Sequence, residues 1–103
     1  MSRQVNVTAI IYDKRGKILS VGKNSYVKTH TLQAKYAKKM GREEAIYLHA
    51  EIHAITRCPS LKDAHRIAIF RYDAHGNPAN SKPCEICEAV IREMTNISVI
   101  EHT

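Results

Sequence analysis

The apolar positions of this chain fall into short blocks whose spacing alternates between strand-like and helix-like. "VNVTAIIYD", at 5–13, is rich in β-branched residues and predicts a strand, and "DKRG" within and after it signals a turn. "KILSVGKNS" returns as a second strand, so the chain opens with a β-hairpin. "LQAKYAKKMG" fits either one or two helical turns ending at Gly41 or an ordered loop. From about Glu44 to Arg57, Ile46, Ala50, Ala54 and neighbouring apolar residues recur at helical spacing, and Pro59 stops the pattern. "RIAIFRYD" predicts a third strand, closed by the turn-former "HGNP". "PCEICEAVIREM" predicts a second helix with Pro83 near its start, where proline is tolerated, and "NISVIEHT" a last short strand.

A helix joins the third and fourth strands, which makes them parallel with a right-handed crossover. The opening hairpin adds an antiparallel edge. The expected fold is therefore α/β, a mixed sheet of about four strands covered by helices. Nothing in residues 1–103 resembles a repeat, a low-complexity tract or a linker, so one domain is expected.

Composition narrows the class. With 44% hydrophobic and 25% charged residues the chain reads as a soluble globular protein. No apolar run approaches the roughly 18 residues of a membrane span. "MSRQVNVTAI" lacks a signal pattern, so a cytoplasmic location is expected and no membrane partner. Three cysteines, an odd number, argue against a disulfide framework. In a reducing compartment the pair Cys84-x-x-Cys87 reads as metal or redox chemistry.

The formal charge of +6 is uneven: Lys14 to Arg42 holds nine basic residues and no acidic one. Such a run is either a solvated surface or a positive field that draws in a phosphate-bearing partner. The final stretch is instead acidic, with Glu85, Glu88, Glu93 and Glu101 against Arg92.

Cys84-x-x-Cys87 at a helix start has three readings. A thioredoxin-like redox pair belongs near the N-terminus of its fold, and this one lies near the C-terminus. Half of a structural zinc site needs a second ligand pair, and Cys58 has no cysteine close in sequence. A catalytic zinc held by two cysteines and one histidine needs a histidine on another element, which His49 supplies. Around His49 the glutamate comes two residues later, not one, so the H-E-x-x-H protease pattern fails. What stands is His49-x-Glu51 followed by Pro83-Cys84-x-x-Cys87, the pair of motifs that marks the zinc deaminases.

On these residues the chain resembles the cytidine deaminase superfamily, from the opening hairpin to the last strand. A histidine on the first helix looks most like the deoxycytidylate and tRNA adenosine deaminases. The resemblance implies a three-layer cytidine deaminase-like fold and a zinc ion on His49, Cys84 and Cys87. It makes Glu51, unligated beside the metal, the proton shuttle. Helix N-termini at the metal favour the thiolate forms of the two cysteines. Cys58 reads as a small buried hydrophobe. His53, one turn after His49, stands where deoxycytidylate deaminases often carry asparagine, and is given a place in the pocket wall or in packing.

Substrate contacts follow by resemblance. Asn24 corresponds to an asparagine that bonds the sugar hydroxyl, although a turn asparagine is the plainer reading. The Ala50 N–H is assigned to the pyrimidine carbonyl and the Lys82 carbonyl to the amino group. Lys28, Thr29 and His30 are candidate phosphate or sugar contacts, or ordinary loop residues.

The leading expectation is a hydrolytic deaminase of a cytosine nucleotide of the dCMP type, yielding the uracil product and ammonia. A polynucleotide deaminase competes, because the basic run interleaves Tyr26 and Tyr36 as a single-strand groove would. Against it, the chain ends almost at the fourth strand, a minimal version of the fold. The bare sheet edge this implies makes a homo-oligomer the expectation. A non-catalytic zinc module that binds nucleic acid has no use for Glu51. A thiol oxidoreductase requires a reversible Cys84–Cys87 disulfide and no metal.

Overall fold

The computed structural model describes residues 6–24, 31–39, 41, 49–73 and 75–103. Its order is β1 (Val7–Tyr12), β2 (Ile18–Lys23), α1 (Thr31–Lys39), α2 (Ala50–Arg57), a 3₁₀ turn (Leu61–Asp63), β3 (Arg66–Arg71), α3 (Glu85–Met94) and β4 (Val99–His102). The strands form one mixed sheet in the order β2-β1-β3-β4. β1 lies antiparallel to both β2 and β3, while β3 and β4 run parallel, as the helical crossover requires.

The alternation of side chains along β1 selects the inner face. Ala9 and Ile11 are buried, and their cross-strand partners Ile69 and Ile67 extend that face onto β3. Ile52 and Ile55 of α2 and Ile86, Val90 and Ile91 of α3 complete the same apolar cluster, with Cys58 packed at its margin.

Where α2 crosses β2 the contact is made by small residues. Gly22 faces Ala50 and Ala54 so closely that a Cβ on it would overlap the backbone of both. Beside it the buried Ser20 hydroxyl donates to the Ala54 carbonyl at 2.6 Å. That carbonyl lies in the last turn, where the next helical donor, the Cys58 N–H, goes to Ile55 O instead. Ser20 therefore satisfies one of the orphan carbonyls that every helix C-terminus leaves.

The two readings of "LQAKYAKKMG" resolve as helix: α1 buries Tyr36 and Ala37 and ends before Gly41, whose φ of +72° suits the left-handed position after a helix. The helix expected from about Glu44 is described only from Ala50, and 42–48 lie outside the described residues. Pro83 stands one place before the cap of α3, not inside its first turn, because Cys84 is the N-cap. No helix among the described residues is long and apolar enough to cross a membrane.

Candidate metal centre

Two helix N-termini build the site. His49 is the N-cap of α2 and Cys84 the N-cap of α3, both in extended backbone conformation, and Cys87 sits in the first turn of α3. The motif spacing has a direct physical reading. An N-cap and the residue three places on project to the same side of a helix start, so Cys84 and Cys87 present both sulfurs together. The Cys87 N–H donates to the Cys84 sulfur at 3.5 Å, the role a serine or aspartate usually fills at a cap.

His49 Nδ1 lies 3.2 Å from Cys87 Sγ and 3.4 Å from Cys84 Sγ. All three candidate ligand atoms lie within 4.8 Å of one another. Two sulfurs and one imidazole nitrogen at that spacing fit a tetrahedral zinc, with Zn–S of about 2.3 Å and Zn–N of about 2.0 Å, and leave a fourth position. The donor set is the borderline-soft mixture that zinc favours.

Ionisation within the group is unequal. The Cys87 thiol, hydrogen-bonded to Cys84, brings the Cys84 thiol down to about 4, against the opposing effect of burial. The same bond, with burial, pushes Cys87 up. Glu51 occupies the first turn of α2 and is 6% exposed. Burial raises its carboxyl above the ordinary range, and a hydrogen bond with Cys87 only partly offsets this. An acid that burial holds back from ionising stands directly against the ligand cluster.

The remaining predicted residues divide. Asn24, at the end of β2, has its side-chain oxygen accepting from the Val7 N–H at 3.0 Å, while its own N–H donates to the Val7 carbonyl at 3.3 Å. This clasp ties the start of β1 to the end of β2 and fixes the asparagine. His53 Nδ1 lies 3.0 Å from both the amide nitrogen and the carbonyl oxygen of Lys23, so either ring tautomer finds a partner there. The imidazole thus pins α2, one turn beyond His49, to the residue that precedes Asn24. Ala50 opens α2 fully buried, with the N–H of a first helical residue. Lys82 is exposed, and its N–H donates to Asn80 Oδ1 at 3.1 Å. Lys28, Thr29, His30 and Tyr26 lie outside the described residues.

Sequence reasoning missed the residues that hold the loop before Cys84. The buried Ser81 donates through its hydroxyl to Ile69 O at 2.9 Å and through its N–H to Thr103 O at 2.9 Å. The Thr103 hydroxyl donates to Ala79 O at 2.6 Å and accepts from the Arg71 N–H at 3.0 Å. Two hydroxyls therefore stitch the loop to the ends of β3 and β4. "NSK" and a closing "HT" carry no such signal, because the pairing exists only once β4 lies beside β3.

Among the described residues the basic run does not form one surface. Lys14, Arg15 and Lys17 sit on the β1–β2 hairpin, at the opposite end of those strands from Asn24, and Lys39 of α1 pairs with Glu93 of α3 at 3.2 Å.

A search of curated proteins returned no significant match. A family model described as the cytidine and deoxycytidylate deaminase zinc-binding region matches residues 1–102. That match spans the sheet, both metal-bearing helices and the His49, Cys84 and Cys87 group. The chain belongs to the family of cytidine and deoxycytidylate deaminase zinc-binding domains.

Proposed function

We propose that the protein is a zinc-dependent hydrolytic deaminase of a cytosine nucleotide, of the dCMP type, converting it with water to the uracil nucleotide and ammonia. The observation that carries the reading is Glu51, a buried carboxyl that is not needed as a ligand yet touches the ligand cluster. Bound zinc supplies Lewis acidity that makes water nucleophilic near neutral pH.

The chain's own residues supply the rest. Glu51 accepts a proton from the attacking water, passes it to the ring nitrogen, and protonates the departing amine. The Ala50 N–H bonds the pyrimidine carbonyl and the Lys82 carbonyl receives the amino group. Asn24, held by its clasp to Val7, bonds the sugar, and His53 forms the wall behind it. Lys28, Thr29 and His30 are assigned to the phosphate.

The test is ammonia release from dCMP, deoxycytidine and dCTP by the zinc-loaded protein and by Glu51→Gln. Turnover of dCMP is expected, with a loss of at least about 100-fold in the variant at unchanged zinc content. Turnover only on single-stranded DNA or RNA would replace this reading with a polynucleotide deaminase. No turnover on any of these would leave a non-catalytic zinc module.

A further inference from the structure

The end of the molecule opposite the metal centre carries a recess. It is a cleft of about 810 Å³ between the β1–β2 hairpin, the 3₁₀ turn after α2 and the segment that leads into β4. Lys14, Arg15 and Lys17 line it from the hairpin, and Lys62 faces them from the 3₁₀ turn. Among the described residues none of these four cations enters an ion pair. Two carboxylates share the cleft. Asp13 also accepts from the Arg15 and Lys17 N–H groups at 2.8 and 2.9 Å, and together with Asp63 it offsets two of the four positive charges, so the lining keeps an excess of cations.

We propose that this cleft binds a compact oligophosphate, free or as the phosphate chain of a nucleotide, at a site separate from the metal centre. Four unpaired cations brought together from two chain segments repel one another, and an anion between them removes that repulsion. The hydroxyls of Ser60 and Ser98 and the His65 imidazole, which lies 3.2 Å from Ser98 Oγ, add neutral hydrogen-bonding groups for phosphate oxygens. Among the described residues no Phe, Tyr or Trp lines the cleft, so recognition rests mainly on phosphate. The concave shape suits a short phosphate chain better than an extended strand.

The metal ligands lie at the N-terminal ends of α2 and α3, whereas the cleft adjoins the segments that follow their C-termini. Helices of eight and ten residues at about 1.5 Å per residue separate the two sites by roughly 12–15 Å. The packed helices α2 and α3 and the core between them separate the cleft from the metal ligands, so the cleft is not an extension of the metal centre.

Titrating ¹⁵N-labelled, zinc-loaded protein with sodium tripolyphosphate at physiological ionic strength tests the proposal without relying on deaminase activity. Saturable shifts are expected at the Arg15, Lys17, Lys62 and Ser98 amides, with a Kd below about 1 mM. Lys17→Glu/Lys62→Glu, at two exposed positions, is expected to weaken binding at least about tenfold with the fold retained by circular dichroism. Lys14→Gln serves as a second variant, with a loss of roughly two- to fivefold. Absence of saturation below about 1 mM, shifts confined to Ala50 and Cys84–Cys87, or unchanged affinity in the variants would overturn it. Tighter binding of a single-stranded oligonucleotide at the same amides would also overturn it, in favour of a nucleic-acid surface.

Discussion

Replacing Gly22 with alanine adds one methyl group at the point where β2 and α2 touch. The new Cβ would lie 2.8 Å from Ala54 Cα and overlap Ala54 N and Ala50 O, all backbone atoms that no rotamer change can move. Restoring an ordinary carbon–carbon contact requires α2 to retreat by about 1 Å. Overpacking of this kind costs about 1–3 kcal/mol, and a rigid backbone neighbour places this case at the upper end. The same retreat stretches the 2.6 Å Ser20–Ala54 bond, adding roughly 1 kcal/mol. A total of about 3–4 kcal/mol corresponds to a fall in Tm of roughly 12–30 °C for a domain of this size. Because α2 carries His49 and Glu51, turnover should fall by about 100-fold in whatever fraction stays folded. Gly16→Ala is the control. It has a φ of +84° with nothing within 4 Å, so it bears only the left-handed strain of about 1–2 kcal/mol. Thermal denaturation of both variants, with ammonia release from the folded protein, decides the matter. A Gly22→Ala protein at least as stable as Gly16→Ala would refute the close-packed contact as the determinant of α2's position.

Three further outcomes follow from the same geometry. Ser20→Ala leaves the Ala54 carbonyl buried without its partner and should cost about 1–3 kcal/mol in denaturant unfolding at an unchanged m value. His53→Ala removes the link to Lys23 and should raise KM for the nucleotide more than it lowers kcat, whereas His53→Asn, which can place an amide group near Nδ1, should restore most of the loss in steady-state assays. Thr103→Val strips the hydroxyl from Arg71 N and Ala79 O and loosens the loop before Cys84. Competition with a chromogenic chelator should show zinc affinity reduced by about 10–100-fold, alongside a lower Tm.

What could be read in advance was whatever is local. β1, β2, β3 and α3 announce themselves through side-chain period, and both metal-binding motifs are short stretches whose residues end on one helix terminus each. α1 was ambiguous because a lysine-rich segment with few apolar positions shows its burial only through Tyr36 and Ala37 against α3, a contact that periodicity does not contain. The basic run left a solvated surface and a positive field equally open, because charge adjacent in sequence does not say whether it is adjacent in space. The hairpin instead carries Lys14, Arg15 and Lys17 to the far end of the sheet.

The residues that sequence reasoning passed over share one property, which is that their partners are supplied by the fold. Gly22 and Ser20 look like ordinary strand positions until α2 is laid on them, and Ser81 and Thr103 look like loop and terminus until β4 pairs with β3. Each acts on the site through backbone groups: Ala50 and Ala54 on the His49 helix, Ala79 on the Cys84 loop and Arg71 at the end of β3 to which that loop is held. The division follows from the chemistry required. Ligands and acids must be particular side chains, so they leave motifs. The placement of two helix N-termini to within an ångström depends on excluded volume and hydrogen bonds to main chain, which many residue types supply and which therefore leave no motif. The metal centre is thus named by its side chains and positioned by contacts that only the assembled sheet creates.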